Sequence, residues 1–96
     1  MKKILLLEDD IELNETLSEL LSENGYDVDS AFDAQEAIDK SYDNRYDLYI
    51  FDINLPDMNG LELLESLRDA LDKTPAIFIS ALIDLNSISK AFSISA

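Results

Sequence analysis

Apolar residues fall along this chain in two alternating patterns. Ile4-Leu5-Leu6-Leu7 is an unbroken apolar run that stops at Glu8-Asp9-Asp10, the profile of a strand covered on both faces. From Ile11 the spacing changes. Leu13, Leu17, Leu20 and Leu21 recur at helical intervals, Glu12, Glu15, Glu19 and Glu23 fill the polar side, and Asn24-Gly25 predicts the stop. Tyr26, Val28 and Ser30 alternate with Asp27 and Asp29, which predicts a half-exposed strand at a sheet edge. A second helix opens at Asp33, with Glu36 three residues on as a capping-box pair and Ala37 and Ile38 turned inward. Beyond the polar stretch Asp43-Asn44-Arg45, Leu48-Tyr49-Ile50-Phe51 makes a third buried strand ending at Asp52. Asn54-Leu55-Pro56-Asp57-Met58-Asn59-Gly60 reads as irregular loop, and Leu61, Leu64 and Leu67 then restart helical spacing as far as Arg68. Thr74-Pro75 precedes a fourth strand, Ala76-Ile77-Phe78-Ile79, ending at Ser80, and Leu85, Ile88, Ala91 and Phe92 predict a last helix.

The order is βαβαβαβα, and right-handed crossovers fold such a chain into an α/β parallel sheet with helices on its faces. At 96 residues it makes one domain, residues 1–96, without a Pro/Gly/Ser linker or low-complexity tract. Tyr49, Phe51, Phe78 and Phe92 are expected in the core.

Charge narrows the possible partners. The 21 acidic and 7 basic residues leave a net charge of −14, which repels phosphate backbones and anionic lipid headgroups, so neither nucleic acid nor membrane is expected to bind this segment. No apolar run approaches a membrane span or a signal-peptide core, and the expected location is the cytoplasm. With no cysteine and no histidine, disulfides, zinc sites, thiol nucleophiles and imidazole bases are excluded, and any chemistry runs on carboxylates, hydroxyls and lysines.

In an open parallel sheet the loops after the strands emerge at one carboxyl edge, where ligands bind. Glu8, Asp9 and Asp10 leave the first strand, Asp52 the third and Ser80 the fourth. If the first and third strands are neighbours, these carboxylates crowd together and raise one another's pKa unless a cation intervenes. Oxygen-only ligands drawn from loops suit Mg²⁺, which keeps waters for a phosphate to replace. A carboxylate beside that ion can act as nucleophile in phosphoryl transfer, and Asp52, followed at once by the Pro/Gly loop, is the candidate. Ser80 offers a hydroxyl to a phosphoryl oxygen. Each piece alone has a plainer reading. Glu8-Asp9-Asp10 can be a solvated helix start, Asp52 a loop cap, Ser80 a turn residue, and Glu12, Glu15, Glu19 and Glu23 a solvated face or a docking stripe.

Together, Lys3-Ile4-Leu5-Leu6-Leu7-Glu8-Asp9-Asp10, Phe51-Asp52-Ile53-Asn54-Leu55-Pro56-Asp57-Met58-Asn59-Gly60 and Ile79-Ser80-Ala81 resemble the receiver domain of two-component response regulators. The resemblance covers the whole chain. It implies a flavodoxin-like doubly wound sheet of strand order 2-1-3-4, and a phosphoryl group passed from a sensor histidine kinase to Asp52. It further implies Mg²⁺ bound by Asp9 and Asp52, with Glu8 orienting its water shell, the backbone carbonyl of Asn54 completing the site, and Ser80 as the switch hydroxyl.

Two departures qualify this. The family's fifth strand and helix, with the lysine that pairs with the phosphoryl group, have no counterpart up to Ala96, and Lys90 falls inside the last helix. Losing such a donor costs roughly 2.7 to 4 kcal/mol by analogy with oxyanion-hole deletions, so impaired phosphorylation is expected with Mg²⁺ binding retained. The uncovered fourth strand and first helix are expected to favour self-association or strand swapping. Ser95 stands where the family usually ends its fourth helix with glycine. Two other functions stay open. One is a non-phosphorylated interaction module. The other is a haloacid-dehalogenase-like phosphatase, disfavoured because Asn54 occupies the position of its second, proton-transferring Asp.

Overall fold

The computed structural model describes residues 1–79; Ser80, Lys90, Ser95 and the predicted last helix with Phe92 lie outside the described residues. Within them the chain runs β1 (Lys3–Leu7), α1 (Ile11–Glu23), β2 (Asp27–Ala31), α2 (Ala34–Asp43), β3 (Leu48–Asp52), α3 (Gly60–Asp69) and β4 (Ala76–Ile79). All pairings are parallel and the order is β2-β1-β3-β4, the 2-1-3-4 arrangement expected from the sequence.

The apolar runs of β1 and β3 are continuous because both faces of the sheet are covered. Leu5, Leu7, Tyr49 and Phe51 point to one face and pack with Ala34 and Ala37 of α2 and Leu63 and Leu67 of α3. Ile4, Leu6, Leu48 and Ile50 point to the other and meet Leu21 of α1, with Leu17 and Val28 at the margin. Burying each large side chain contributes roughly 1.5 to 3 kcal/mol, and these two central strands supply most of them. Phe78 is only partly buried at the edge of the first cluster.

The helices start where their caps place them. Asp10 accepts the amide of Leu13 at 3.1 Å and Asn59 that of Leu61 at 2.7 Å. Asp33 accepts the amide of Glu36 at 2.8 Å, while the Glu36 carboxylate returns to the Phe32 amide at 2.8 Å. The phase of two helices, however, differs from the leucine pattern. In α1 the buried positions are Asn14 and Leu21, whereas Leu13 and Leu20 are 39% and 43% exposed. In α3 Leu63 and Leu67 are buried and Leu61 is exposed. The physical reason in α1 is Asn14, whose amide donates to the carbonyls of Glu8 at 3.0 Å and Ala31 at 3.1 Å, so a polar residue takes the position nearest the sheet. In α3 the first turn is turned by Gly60, which lies against β3.

Two helices end in the same motif with different residues. At the end of α1, Gly25 adopts φ +90°, its amide reaching Ser22 O at 3.1 Å and that of Tyr26 reaching Leu21 O at 3.2 Å. At the end of α3, Leu71 takes the equivalent place with φ +66°, its amide on Arg68 O at 2.9 Å and that of Asp72 on Leu67 O at 2.9 Å. Glycine adopts this left-handed conformation freely; a side-chain-bearing residue costs about 1 kcal/mol more there. Leu71 is 80% exposed and recovers nothing by burial. Leu71→Gly is therefore expected to raise the melting temperature by roughly 4 to 8 °C, the shift that about 1 kcal/mol produces in a domain of this size. Gly25→Ala should lower it, and thermal denaturation followed by circular dichroism measures both.

Candidate functional site

Register builds the site. Leu7 of β1 pairs with Phe51 of β3, so the residues that follow, Glu8 just past β1 and Asp52 at the last position of β3, lie side by side at the carboxyl edge. Carboxylate oxygens of Glu8, Asp9 and Asp52 all lie within 4.8 Å of one another. Asp9 is exposed, Asp52 half-buried and Glu8 buried at 4% exposure. Asp10, the remaining acid of the first loop, serves as the cap of α1.

A buried carboxylate beside two others resists ionisation. Burial pushes the Glu8 carboxyl up to about 7, Asp9 and Asp52 push the same way, and the Asp10 amide, which donates to Glu8 Oε2 at 3.2 Å, pulls against them. Three oxygen donors with one of them held protonated near neutrality fit a hard divalent cation, which relieves the repulsion and releases that proton.

The surrounding backbone is fixed from several sides. Asn14, absent from the residues that sequence patterns single out, ties the Glu8 carbonyl to α1, and its Oδ1 accepts the Ser18 hydroxyl at 3.3 Å. Its only sequence signal is a polar residue within the leucine-rich stretch of an amphipathic helix. After β3, the Asn54 amide donates to Asp52 Oδ1 at 3.2 Å, and Asn54 bridges Asn59 across the loop. Asp57 accepts the amides of Ala34 at 3.0 Å and Gln35 at 3.1 Å, and these donors, the Ala34 amide foremost, hold its carboxyl below the usual range. The loop carrying Asn54 is thereby clasped to the first turn of α2.

Gly60 is a second residue whose importance the sequence understates. A Cβ there would collide with the Asp52 carbonyl oxygen, with the Asp52 carbonyl carbon and the Ile53 Cα both at 3.1 Å, and the Gly60 amide donates to Ile53 O at 2.7 Å. Only glycine lets α3 begin against the backbone of the candidate phosphoacceptor. Of the residues expected at the site, the structure brings Glu8, Asp9 and Asp52 together and sets Asn54 next to Asp52; Ser80 lies outside the described residues.

A 2-1-3-4 parallel sheet with an acidic cluster at the carboxyl ends of β1 and β3 is the architecture of a flavodoxin-like doubly wound domain with its candidate site at the strand ends. Comparison with known proteins agrees. The sequence profile of the response regulator receiver domain matches residues 4–96, and the chain belongs to that family. It is 43% identical over 96 residues to the transcriptional regulatory protein CrdR of Helicobacter pylori, covering 99% of this chain and 45% of that protein. It is 44% identical over 90 residues to the regulatory protein VanRB of Enterococcus faecalis, covering 94% of this chain and 40% of that one. The chain thus spans less than half the length of these relatives.

Among solved structures it is similar to TrrA of Thermotoga maritima, a response regulator in complex with Mg²⁺ and BeF, at a TM-score of 0.79 and 27% identity over 95% of this chain and 99% of that one. It is also similar to the non-phosphorylated HemR receiver domain of Leptospira biflexa, at 0.77 and 34% over 100% and 77%. Receiver domains are signalling domains, not enzymes in the ordinary sense, and CrdR is a transcriptional regulatory protein. Among the described residues no helix is long and apolar enough to cross a membrane.

Two expectations follow. Because the folded Glu8 carboxyl titrates near 7 against about 4.5 when unperturbed, the metal-free folded chain binds more protons than the unfolded one between those values. The stability tied to this group is full below about pH 4.5 and is lost as pH rises through about 7. Urea denaturation in EDTA should show that decline, and Glu8→Gln should flatten it. Gly60→Ala should keep the fold but displace Asp52, lowering Mn²⁺ affinity about tenfold or more, as mispositioned supports of metal ligands do; water-proton relaxation during Mn²⁺ titration reads it.

Proposed function

We propose that this chain is a phosphoacceptor: in the cytoplasm, a sensor histidine kinase passes a phosphoryl group to Asp52. The observation that carries the reading is the convergence of Glu8, Asp9 and Asp52 within 4.8 Å at the end of a central strand, in a chain of the receiver family. TrrA, which shares the fold, holds Mg²⁺ and BeF in its structure, which supports a metal and a phosphoryl-like group at the corresponding edge here.

Mg²⁺ supplies charge neutralisation between the attacking carboxylate and the phosphoryl oxygens. In this reading Asp9, Asp52 and the Asn54 carbonyl would hold the ion, and Glu8 would give up its proton and orient the ion's water shell. An Asp52 oxygen attacks phosphorus, forming the acyl-phosphate O–P bond as the P–N bond of a phosphohistidine breaks. The histidine nitrogen keeps the bonding pair. The Ser80 hydroxyl then donates to a phosphoryl oxygen. The Asn54 amide on Asp52 Oδ1 biases the carboxylate's orientation before attack, leaving the other oxygen to the incoming group.

Incubation with Mg²⁺ and acetyl phosphate should add one phosphoryl mass to the chain, detected by intact mass spectrometry and absent from Asp52→Asn. Transfer from a phosphorylated histidine kinase should show the same dependence on Asp52 and Mg²⁺. Continuous phosphate release without a kinase would identify a phosphatase instead, and no adduct from either donor would leave an interaction module.

A further inference from the structure

The edge of the sheet opposite the acidic cluster has features that the phosphoacceptor chemistry does not use. The C-terminal turns of α2 and α3 border, with the starts of β3 and β4, a half-open cavity of about 500 Å³. Its floor is aromatic and aliphatic. Tyr46, Tyr49 and Leu67 are buried there, with the two tyrosine rings 6.0 Å apart and Tyr49 stacked on Phe51 at 4.9 Å.

Its mouth is different. Tyr42 is 73% exposed on the α2 side and Leu71 80% exposed on the α3 side. Leu71 does so in a left-handed conformation where the equivalent turn of α1 uses Gly25. The fold gains nothing from a leucine side chain at that place, so its use is to be sought outside the fold, and a strained backbone at the lip of a cavity is a common mark of such a use.

Charge matters here as well. In a chain of net charge −14, five of the seven basic residues, Lys2, Lys3, Arg45, Arg68 and Lys73, lie at this edge, where they offset Glu23, Asp27, Asp43, Asp47 and Asp69, and of these only Arg45 and Lys73 line the cavity. The one carboxylate in the lining, Asp72, is turned into the protein. It accepts the Tyr49 hydroxyl and, at 3.0 Å, the Thr74 amide. Burial alone would raise its carboxyl, but these donors hold it below the usual range, so it stays an ion satisfied by the protein.

We propose that this cavity docks an acidic segment of a partner protein, one large apolar side chain of the segment entering over Tyr46 and Tyr49 while its carboxylates meet Arg45 and Lys73. A small anion is a poorer fit. Such ligands are engulfed on most of their surface, whereas here exposed apolar contact continues past the mouth onto Tyr42 and Leu71. A second copy of the chain would bring its own net −14 against a surface of the same net sign.

The test is selection of random dodecapeptides on the folded chain, followed by affinity and amide-shift measurements on the enriched peptides. The expected peptides are acidic with a single Leu, Phe or Tyr, and they shift the amides of Arg45, Leu71 and Lys73. The double variant Arg45→Glu/Lys73→Glu should weaken them at least tenfold, and added salt should weaken them too. Leu71→Gly should weaken them several-fold while raising the melting temperature, a combination that a purely structural role for Leu71 does not produce. Glu15→Gln, on the exposed side of α1, should leave binding unchanged. Absence of enrichment, peptides without acidic bias, or shifts confined to other surfaces overturns the proposal. Self-association of the free chain that Leu71→Asp abolishes overturns it in favour of a second copy. Inorganic phosphate or benzoate displacing nothing supports a peptide, and their binding as tightly as the peptides overturns it in favour of a small anion.

Discussion

Like-charge crowding at the carboxyl edge is the constraint to which the rest of the molecule answers. Parallel pairing of β1 with β3 forces Glu8 beside Asp52, and the turn after β1 adds Asp9. At ordinary separations in a partly desolvated site, such carboxylates cannot all ionise together without a cation. The metal-free fold holds the arrangement by keeping the innermost carboxyl protonated into the neutral range. A divalent ion at this edge, as proposed above, would reverse that balance and turn a destabilising cluster into a binding site.

Holding three acids in place takes more than the strands. The Asn14 amide fixes the carbonyl of Glu8 from below, and Ser18 links Asn14 onward to the Ser30 hydroxyl at 2.9 Å. On the other side, Gly60 seats α3 directly on the Asp52 backbone, while Asp57 caps α2 from the loop between them. Both buried amides and close backbone contacts resist displacement because their loss leaves polar groups unpaired in a dry place. Preorganisation of this kind is what a phosphoryl-transfer site needs, since its catalysis is chiefly positioning and electrostatics.

Much of this was legible in the amino-acid order. Continuous apolar runs gave away β1 and β3 because both faces are covered, and the alternation of β2 gave away its edge position. Capping residues Asp33 and Glu36, and Gly25 after α1, marked boundaries through local chemistry that tertiary packing did not override. Helix phase was harder to read. Counting leucines placed Leu13, Leu20 and Leu61 inward, yet a buried asparagine and a close-packed glycine set which face meets the sheet. The acids of the site were legible as residues; the rise of Glu8 and the clasp of Asp57 on α2 depend on distances between segments that no spacing along the chain encodes. Leu71 was invisible for a further reason, since nothing in a leucine announces a left-handed backbone.

The acidic cluster and the opposite cavity lie at the two ends of the same helices. The ten residues of α2 span about 15 Å, longer than the Debye length of about 8 Å at physiological salt. A change of charge at Asp52 is therefore largely screened by the time it reaches the exposed Arg45 and Lys73, and electrostatics alone links the two places weakly. Mechanical connection is far more direct. The N-terminus of α2 is held by Asp57 and that of α3 by Ile53 through Gly60, both from the loop that follows Asp52. The C-terminal ends of the same two helices supply Tyr42, Leu67 and Leu71 to the cavity. A shift of the loop after Asp52 would act first on the starts of α2 and α3, the two helices whose far ends border the cavity, with no charge needing to be felt across the domain.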